Sequence, residues 1–221
     1  CSSDLNLFLA FALLATFSLQ AQTSKEILDK LSTKAKSWAT TSSDFSSELS
    51  NPKTGKVSKQ NGTVKVKGKK YQLALPDYSV YCDGATVWTY NKKSNSCSID
   101  NLADVKDGGF DPSEMYTIWN KDFKHEMKNT NATVDGVACY EIALYPLNPK
   151  SKSFHTVTLF VDKAKMELTK VNVITRENAN VTYKIKNFKA NPAINDGDFK
   201  FNQRSEEHTS ELQSRVDISY A

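Results

Sequence analysis

The stretch Asp83-Gly84-Ala85-Thr86-Val87-Trp88-Thr89-Tyr90-Asn91 constrains this 221-residue chain more than any other. Its Asp-Gly pair separates two runs of alternating apolar residues, Tyr78-Ser79-Val80-Tyr81-Cys82 and Thr86-Val87-Trp88-Thr89-Tyr90. Asp-Gly tolerates the positive φ angles of a tight hairpin turn, so the pattern predicts two paired antiparallel strands. Gly62 to Leu75 alternates upstream in the same way. Consecutive strands of this kind present one wet face and one apolar face, and the apolar face has to be covered.

The two ends read differently from the middle. Arg204-Ser205-Glu206-Glu207-His208-Thr209-Ser210-Glu211-Leu212-Gln213-Ser214, returned to codons, reads through a common sequencing adapter. Cys1-Ser2-Ser3-Asp4-Leu5 reads on its reverse complement. Residues 1–5 and 204–221 are therefore expected to be adapter artefacts. Residues 6–21 are expected to be a truncated signal peptide. Leu7 to Leu19 is an apolar run too short to span a bilayer, and Gln20-Ala21-Gln22 follows it as a small-residue cleavage region. Residues 22–203 then form one domain, shortened at its C-terminus and large enough for a real core.

Charge and cysteine content change with that division. Without Arg204 and Arg215, and without Asp4, Glu206, Glu207, Glu211 and Asp217, 27 basic and 20 acidic residues remain, a net of +7. The lysines are read as solvated outer strand faces, with attraction to acidic partners or anionic head groups as the functional alternative. Cys82, Cys97 and Cys139 remain. If the strand through Val87 lies between those of Cys82 and Cys97, these two stand about 9–10 Å apart. That is beyond the reach of a disulfide.

Along the chain, Thr23-Ser24-Lys25-Glu26 forms a capping box that starts a helix. Ile27, Leu28, Leu31, Ala35 and Trp38 give that helix one apolar face. Phe45, Ser47 and Leu49 alternate with polar neighbours in a strand. Val64, Val66, Tyr71, Leu73 and Leu75 share a face opposite Lys65, Lys67 and Gln72. After a short strand at Cys97–Asp100 and a break at Asp107-Gly108-Gly109, Asp111 and Pro112 predict a second helix start. Met115, Tyr116, Ile118 and Trp119 would make that helix strongly apolar. Strands follow at roughly 122–130, 137–145, 154–162, 167–176 and 179–188, with Asp135-Gly136 as a hairpin turn. Phe199-Lys200-Phe201 reads as the start of a last strand. Many strands in sequence with two helices inserted predict an α+β fold, mostly antiparallel β. The expected form is an incomplete, unclosed β-barrel or curved sheet with a helical lid.

Catalytic motifs are missing. There is no G-x-S-x-G elbow, no H-E-x-x-H and no G-x-x-x-x-G-K-[ST]. His125 and His155 stand without metal-ligand spacing around them. No cofactor, metal or nucleic acid is expected. The apolar inner face therefore carries the functional question. Helices and sheet form either a filled core or the walls of a cavity for an apolar ligand, and periodicity alone does not separate these.

Residues 24–201 resemble the periplasmic lipoprotein carrier family, LolA, in element order. The resemblance rests on the N-terminal amphipathic helix and the glycine-led strand Gly62-Thr63-Val64-Lys65-Val66. It rests also on the Asp83–Asn91 block, similar to the family's D-G-x-x-[LV]-W-x-Y-[ND]. Asp135-Gly136-Val137 leading into Tyr140-Glu141-Ile142-Ala143-Leu144-Tyr145-Pro146, and Asp198-Phe199-Lys200-Phe201, fit as well. The Lys-rich strands look similar to Bacteroidetes members. The resemblance implies a periplasmic chaperone, not an enzyme, that carries lipoprotein acyl chains from inner to outer membrane. It implies acylated lipoproteins and an inner-membrane ABC transporter as partners of a monomeric carrier. The outer-membrane acceptor is not implied. The family's usual arginine after the glycine-led strand is absent; Lys67-Gly68-Lys69-Lys70 stands there.

Helix-face and strand-face parity, joined to this resemblance, point to Ile27, Leu31, Tyr71, Leu73, Trp88, Met115, Ile118 and Trp119 as the acyl-cavity wall. Two other classes fit the same residues. One is a lipid- or peptide-sensing envelope-stress module of the same fold. The other is a hydrolase using Cys82 or Cys139.

Overall fold

The computed structural model describes residues 23–105, 112–120 and 122–202. The terminal segments read above as artefacts and signal peptide, and the Asp107–Asp111 break, lie outside the described residues.

The capping box forms as its sequence requires. Thr23 Oγ1 accepts from the Glu26 amide at 3.2 Å, and the Glu26 carboxylate accepts from the Thr23 amide at 3.2 Å. Helix α1 runs Ser24–Lys36 and buries Ile27, Leu28, Leu31 and Ser32. At its far end Lys34 pairs with Glu167 at 2.9 Å and also donates to the Lys165 carbonyl.

Eleven strands follow among the described residues. They are β1 Thr41–Ser50, β2 Val57–Lys67, β3 Lys70–Ala74, β4 Tyr78–Cys82, β5 Thr86–Asn91 and β6 Ser96–Asn101. Then come β7 Phe123–Val134, β8 Val137–Pro146, β9 Phe154–Asp162, β10 Leu168–Thr175 and β11 Asn180–Ala190. They form one antiparallel sheet in the order β6-β5-β4-β3-β2-β1-β11-β10-β9-β8-β7. Strand β1 returns to pair with β11, so the two meanders join at the centre while β6 and β7 stay as unpaired edges. The barrel is not closed, as the sequence pattern predicted.

Both Asp-Gly turns are present. Asp135 and Gly136 take φ of 47° and 85° between β7 and β8. Gly84 takes φ of 97°, and the Asp83 carboxylate accepts from the Ala85 and Thr86 amides at 3.0 and 2.9 Å. The Thr86 amide chiefly, with the Ala85 amide and nearby lysines, holds the Asp83 carboxyl below the usual carboxylate range against the opposing effect of desolvation.

Two elements differ from expectation. The apolar stretch before β7 is not a helix. It forms 3-10 turns at Pro112–Glu114 and Ile118–Asn120. Its apolar residues come as doublets three apart, Met115-Tyr116 and Ile118-Trp119. That spacing suits three residues per turn, where i and i+3 eclipse, and aligns buried Tyr116 with buried Trp119. The segment at Asp198–Phe201 is not a strand either. Asp196–Phe199 is a 3-10 turn that buries Phe199, while Phe201 sits 5.3 Å from the Tyr90 ring and 6.0 Å from the Tyr81 ring.

The main core lies between α1 and the β8–β11 half of the sheet. Ile27, Leu28 and Leu31 pack there on Ile142, Leu144, Val157, Leu159, Val161 and Val171. A smaller cluster of Tyr71, Cys82 and Val87 lies under Leu102, which opens the four-residue helix α2, Leu102–Val105. Cys82 and Cys97 stand on β4 and β6 with β5 between them and project to opposite faces of the sheet. Cys82, Cys97 and Cys139 form no disulfide. No helix among the described residues is long and apolar enough to cross a membrane.

Candidate functional site

Strand pairing divides the sheet into a concave and a convex face. Phe45 stands opposite Gly62 on one side and Ile185 on the other; Ser47 stands opposite Gln60 and Tyr183; Val64 stands opposite Ser43 and Leu73. Residues paired this way share a face. All of them except Gly62 line one cavity of about 220 Å³, together with Leu75, Pro112, Met115 and Val171. The cavity lies over β1, β2, β3 and β11, beside the packed core. The Pro112–Glu114 turn packs on β2 and β3 and helps roof it.

Gly62 makes room at its centre. A Cβ there would stand 2.6 Å from the Ala74 carbonyl oxygen and 2.6 Å from Phe45 Cζ. The Phe45 ring therefore packs over a strand position that only glycine leaves open, and Phe45 also lines the cavity. The strand expected to begin at Gly62 in fact begins at Val57, and mid-strand Gly62 is required by a close approach, not by a turn.

The roof is fastened to α1 through one side chain. Buried Ser32 accepts a hydrogen bond from Trp119 Nε1 at 2.8 Å, and its oxygen lies 3.4 Å from the Tyr116 carbonyl and 3.3 Å from Asn120 Oδ1. Trp119 Nε1 also stands 3.3 Å from the Leu28 carbonyl. Tyr116 packs edge-on against Trp38, with ring centroids 5.0 Å apart. Its hydroxyl is buried with no hydrogen-bond partner, and burial, aided by Glu167, pushes its pKa far above the usual tyrosine range.

Of the eight residues read from the sequence as cavity wall, Leu73 and Met115 line this cavity. Ile27, Leu31 and Trp119 are buried in the main core, and Ile118 packs against it. Tyr71 is buried in the smaller cluster. Trp88 stands opposite Tyr81 and Ile99 on the convex face, behind the sheet from the cavity. Parity over-read it because that patch of the convex face is also apolar, covered by Phe199 and Phe201.

The wall residues missed were Phe45, Val64, Leu75, Val171, Tyr183 and Ile185. Most of them carry the same alternation as Leu73, so the signal was present. Ser47 shared the Phe45 and Leu49 alternation, but Ser43 and Gln60 had no such signal, since serine and glutamine at strand positions read as solvent-facing.

The lysines of the convex face are partly neutralised. Lys65 pairs with Asp198, Lys67 and Lys70 with Asp196, Lys59 with Glu48 and Lys184 with Asp135, at 2.8–3.3 Å. Lys67 and Lys70, standing where the arginine was expected, thus hold the C-terminal turn. They also keep the Asp196 carboxyl below its ordinary range.

A search against known families matches the outer membrane lipoprotein carrier protein LolA over residues 14–176. The chain belongs to the LolA family. One solved structure supports the architecture, and others are similar to the chain. A conserved protein of Thermus thermophilus is 10% identical with a TM-score of 0.55, over 82% of this chain and 94% of its own. The lipoprotein LppX of Mycobacterium tuberculosis is 14% identical with a TM-score of 0.48, over 78% and 99%. A LolA superfamily protein of Nitrosomonas europaea is 11% identical with a TM-score of 0.44, over 82% and 99%. No curated protein sequence matches the chain. The LolA family is described as one of carriers, and among the described residues of this member no group of three or more His, Cys, Asp or Glu could hold a metal ion.

Proposed function

We propose that this chain is a periplasmic carrier that takes up the acyl chains of lipoproteins and moves them from the inner to the outer membrane. The observation that carries the reading is the cavity on the concave face, walled by Phe45, Val64, Leu73, Leu75, Met115, Val171 and Ile185, with no charged side chain among the described residues that line it. Contacts of that kind are non-directional. They hold a hydrocarbon chain and release it without chemistry.

Magnitude supports a carrier that works with partners. Burying a CH₂ is worth about 0.8 kcal/mol, so exposing one full acyl chain to water costs on the order of 10 kcal/mol. Extraction from a bilayer needs an energy source, and the sequence has no phosphate-binding loop. An inner-membrane ABC transporter would supply it. A volume of about 220 Å³ is also below the roughly 300–1,000 Å³ of ordinary ligand sites. Loading an acylated lipoprotein would require the Pro112–Asn120 roof to move outward, which two short 3-10 turns permit more readily than a packed helix.

The test is capture of a detergent-solubilised acylated lipoprotein. Leu73→Glu places a carboxylate in the apolar wall and should abolish capture while circular dichroism stays that of the wild type. Undiminished capture by the folded variant would remove the cavity from the account.

A further inference from the structure

Tyr116 Oη is the one buried side-chain polar atom without a hydrogen-bond partner among the described residues. Nearly every buried polar group in a folded protein is satisfied, because an unmet one has given up water and received nothing in return. Packing does not ask for the hydroxyl. The Tyr116 ring is held edge-on by Trp38, with centroids 5.0 Å apart, and stands 6.2 Å from Phe188, contacts that phenylalanine would also make.

The unmet group lies in the middle of the roof, between the turns Pro112–Glu114 and Ile118–Asn120. The same residue is where α1 ties the roof down, since the Tyr116 carbonyl lies 3.4 Å from Ser32 Oγ. Ser32 has one proton to donate, and Asn120 Oδ1 competes for it at 3.3 Å. A long, shared hydrogen bond draws the roof in, and a buried hydroxyl without a partner opposes it. Raising the roof returns that hydroxyl to water.

We propose that the unmet Tyr116 hydroxyl is a counterweight that keeps the 112–120 roof close to opening. The proposal rests on the acyl-carrier reading and names a residue that regulates its loading. At about 220 Å³ the shut cavity is smaller than ordinary ligand sites, so the raised form is the one that loads. Apparent affinity falls in proportion to the fraction of molecules in the competent form. The penalty on a buried unmet hydroxyl corresponds to about five- to hundredfold in an equilibrium constant, and it bears on the shut form alone.

The test uses the full chain in three measurements: hydrogen exchange, urea denaturation, and titration with the fluorescent acyl probe dansylaminoundecanoate. Tyr116→Phe keeps the ring and removes only the hydroxyl. It should raise the urea midpoint, slow exchange of the 113–120 amides about five- to hundredfold, and weaken probe binding about fivefold or more. Ser32→Ala removes the tie and should speed exchange of the same amides. A residue that only packs would not raise stability and weaken ligand uptake in one substitution. Wild-type exchange of the roof amides in Tyr116→Phe, or undiminished probe binding by it, would overturn the counterweight and leave the carrier reading standing. No probe binding by the unmodified protein would overturn the carrier reading, and the counterweight with it.

Discussion

Substituting Gly62 by alanine is the sharpest perturbation the geometry offers. The new Cβ would lie 2.6 Å from the Ala74 carbonyl oxygen and 2.6 and 2.8 Å from Phe45 Cζ and Cε1. The carbonyl belongs to the β3 backbone and retreats only with its strand, whereas the ring is a side chain that lines the cavity and can shift. Over-packing of this kind costs about 1–3 kcal/mol. For a domain of this size each kcal/mol lowers the melting temperature by about 2–4 °C, so a fall of roughly 2–12 °C is expected. The displaced ring should also reduce the about 220 Å³ cavity and weaken acyl binding. Thermal melting followed by circular dichroism, with fluorescent-lipid titration on the same samples, reads both effects. Adding Phe45→Ala should recover the part of the loss due to the ring and leave the part due to the carbonyl, giving a non-zero coupling in a double-mutant cycle. A Gly62→Ala protein with unchanged melting and unchanged lipid binding would refute the reasoning.

Two further changes test how the surroundings are held. Ser32→Ala removes the oxygen shared by Trp119, Tyr116 and Asn120 and should lower stability by about 1–2 kcal/mol in urea denaturation, because Trp119 keeps only the Leu28 carbonyl; wild-type stability would show that Ser32 does not fasten the roof. Asp83→Ala should cost under about 1 kcal/mol at pH 7, since the carboxylate is partly exposed. The folded pKa of Asp83 is lowered, so its stabilisation is present above the unfolded value of about 3.9 and is lost as pH falls through the folded one. The gap between wild type and variant should therefore shrink below about pH 4, and a gap that grew there would contradict the assignment.

Much of the fold was legible in local chemistry. The Thr23–Glu26 capping box, the two Asp-Gly turns and the strand alternation each act within a few residues, and each appears where those residues place it. What escaped reading depends on contacts far apart in sequence. Trp88 and Val87 are equally apolar, and only the return of Phe199 and Phe201 to the convex face shows why both sides of β5 are covered. The Met115–Trp119 doublets fit helical and 3-10 spacing alike, and packing against α1 decides between them. Gly62 looked like the start of a strand, but its reason is the Phe45 ring across from it.

The central claim is that the concave face, not the convex one, holds acyl chains. Two glutamate substitutions measured side by side test it most directly, Leu73→Glu on the cavity wall and Trp88→Glu behind the sheet. In capture of an acylated lipoprotein by folded protein, the account predicts loss for Leu73→Glu and retention for Trp88→Glu. Retention by Leu73→Glu, or equal loss in both folded variants, would contradict it.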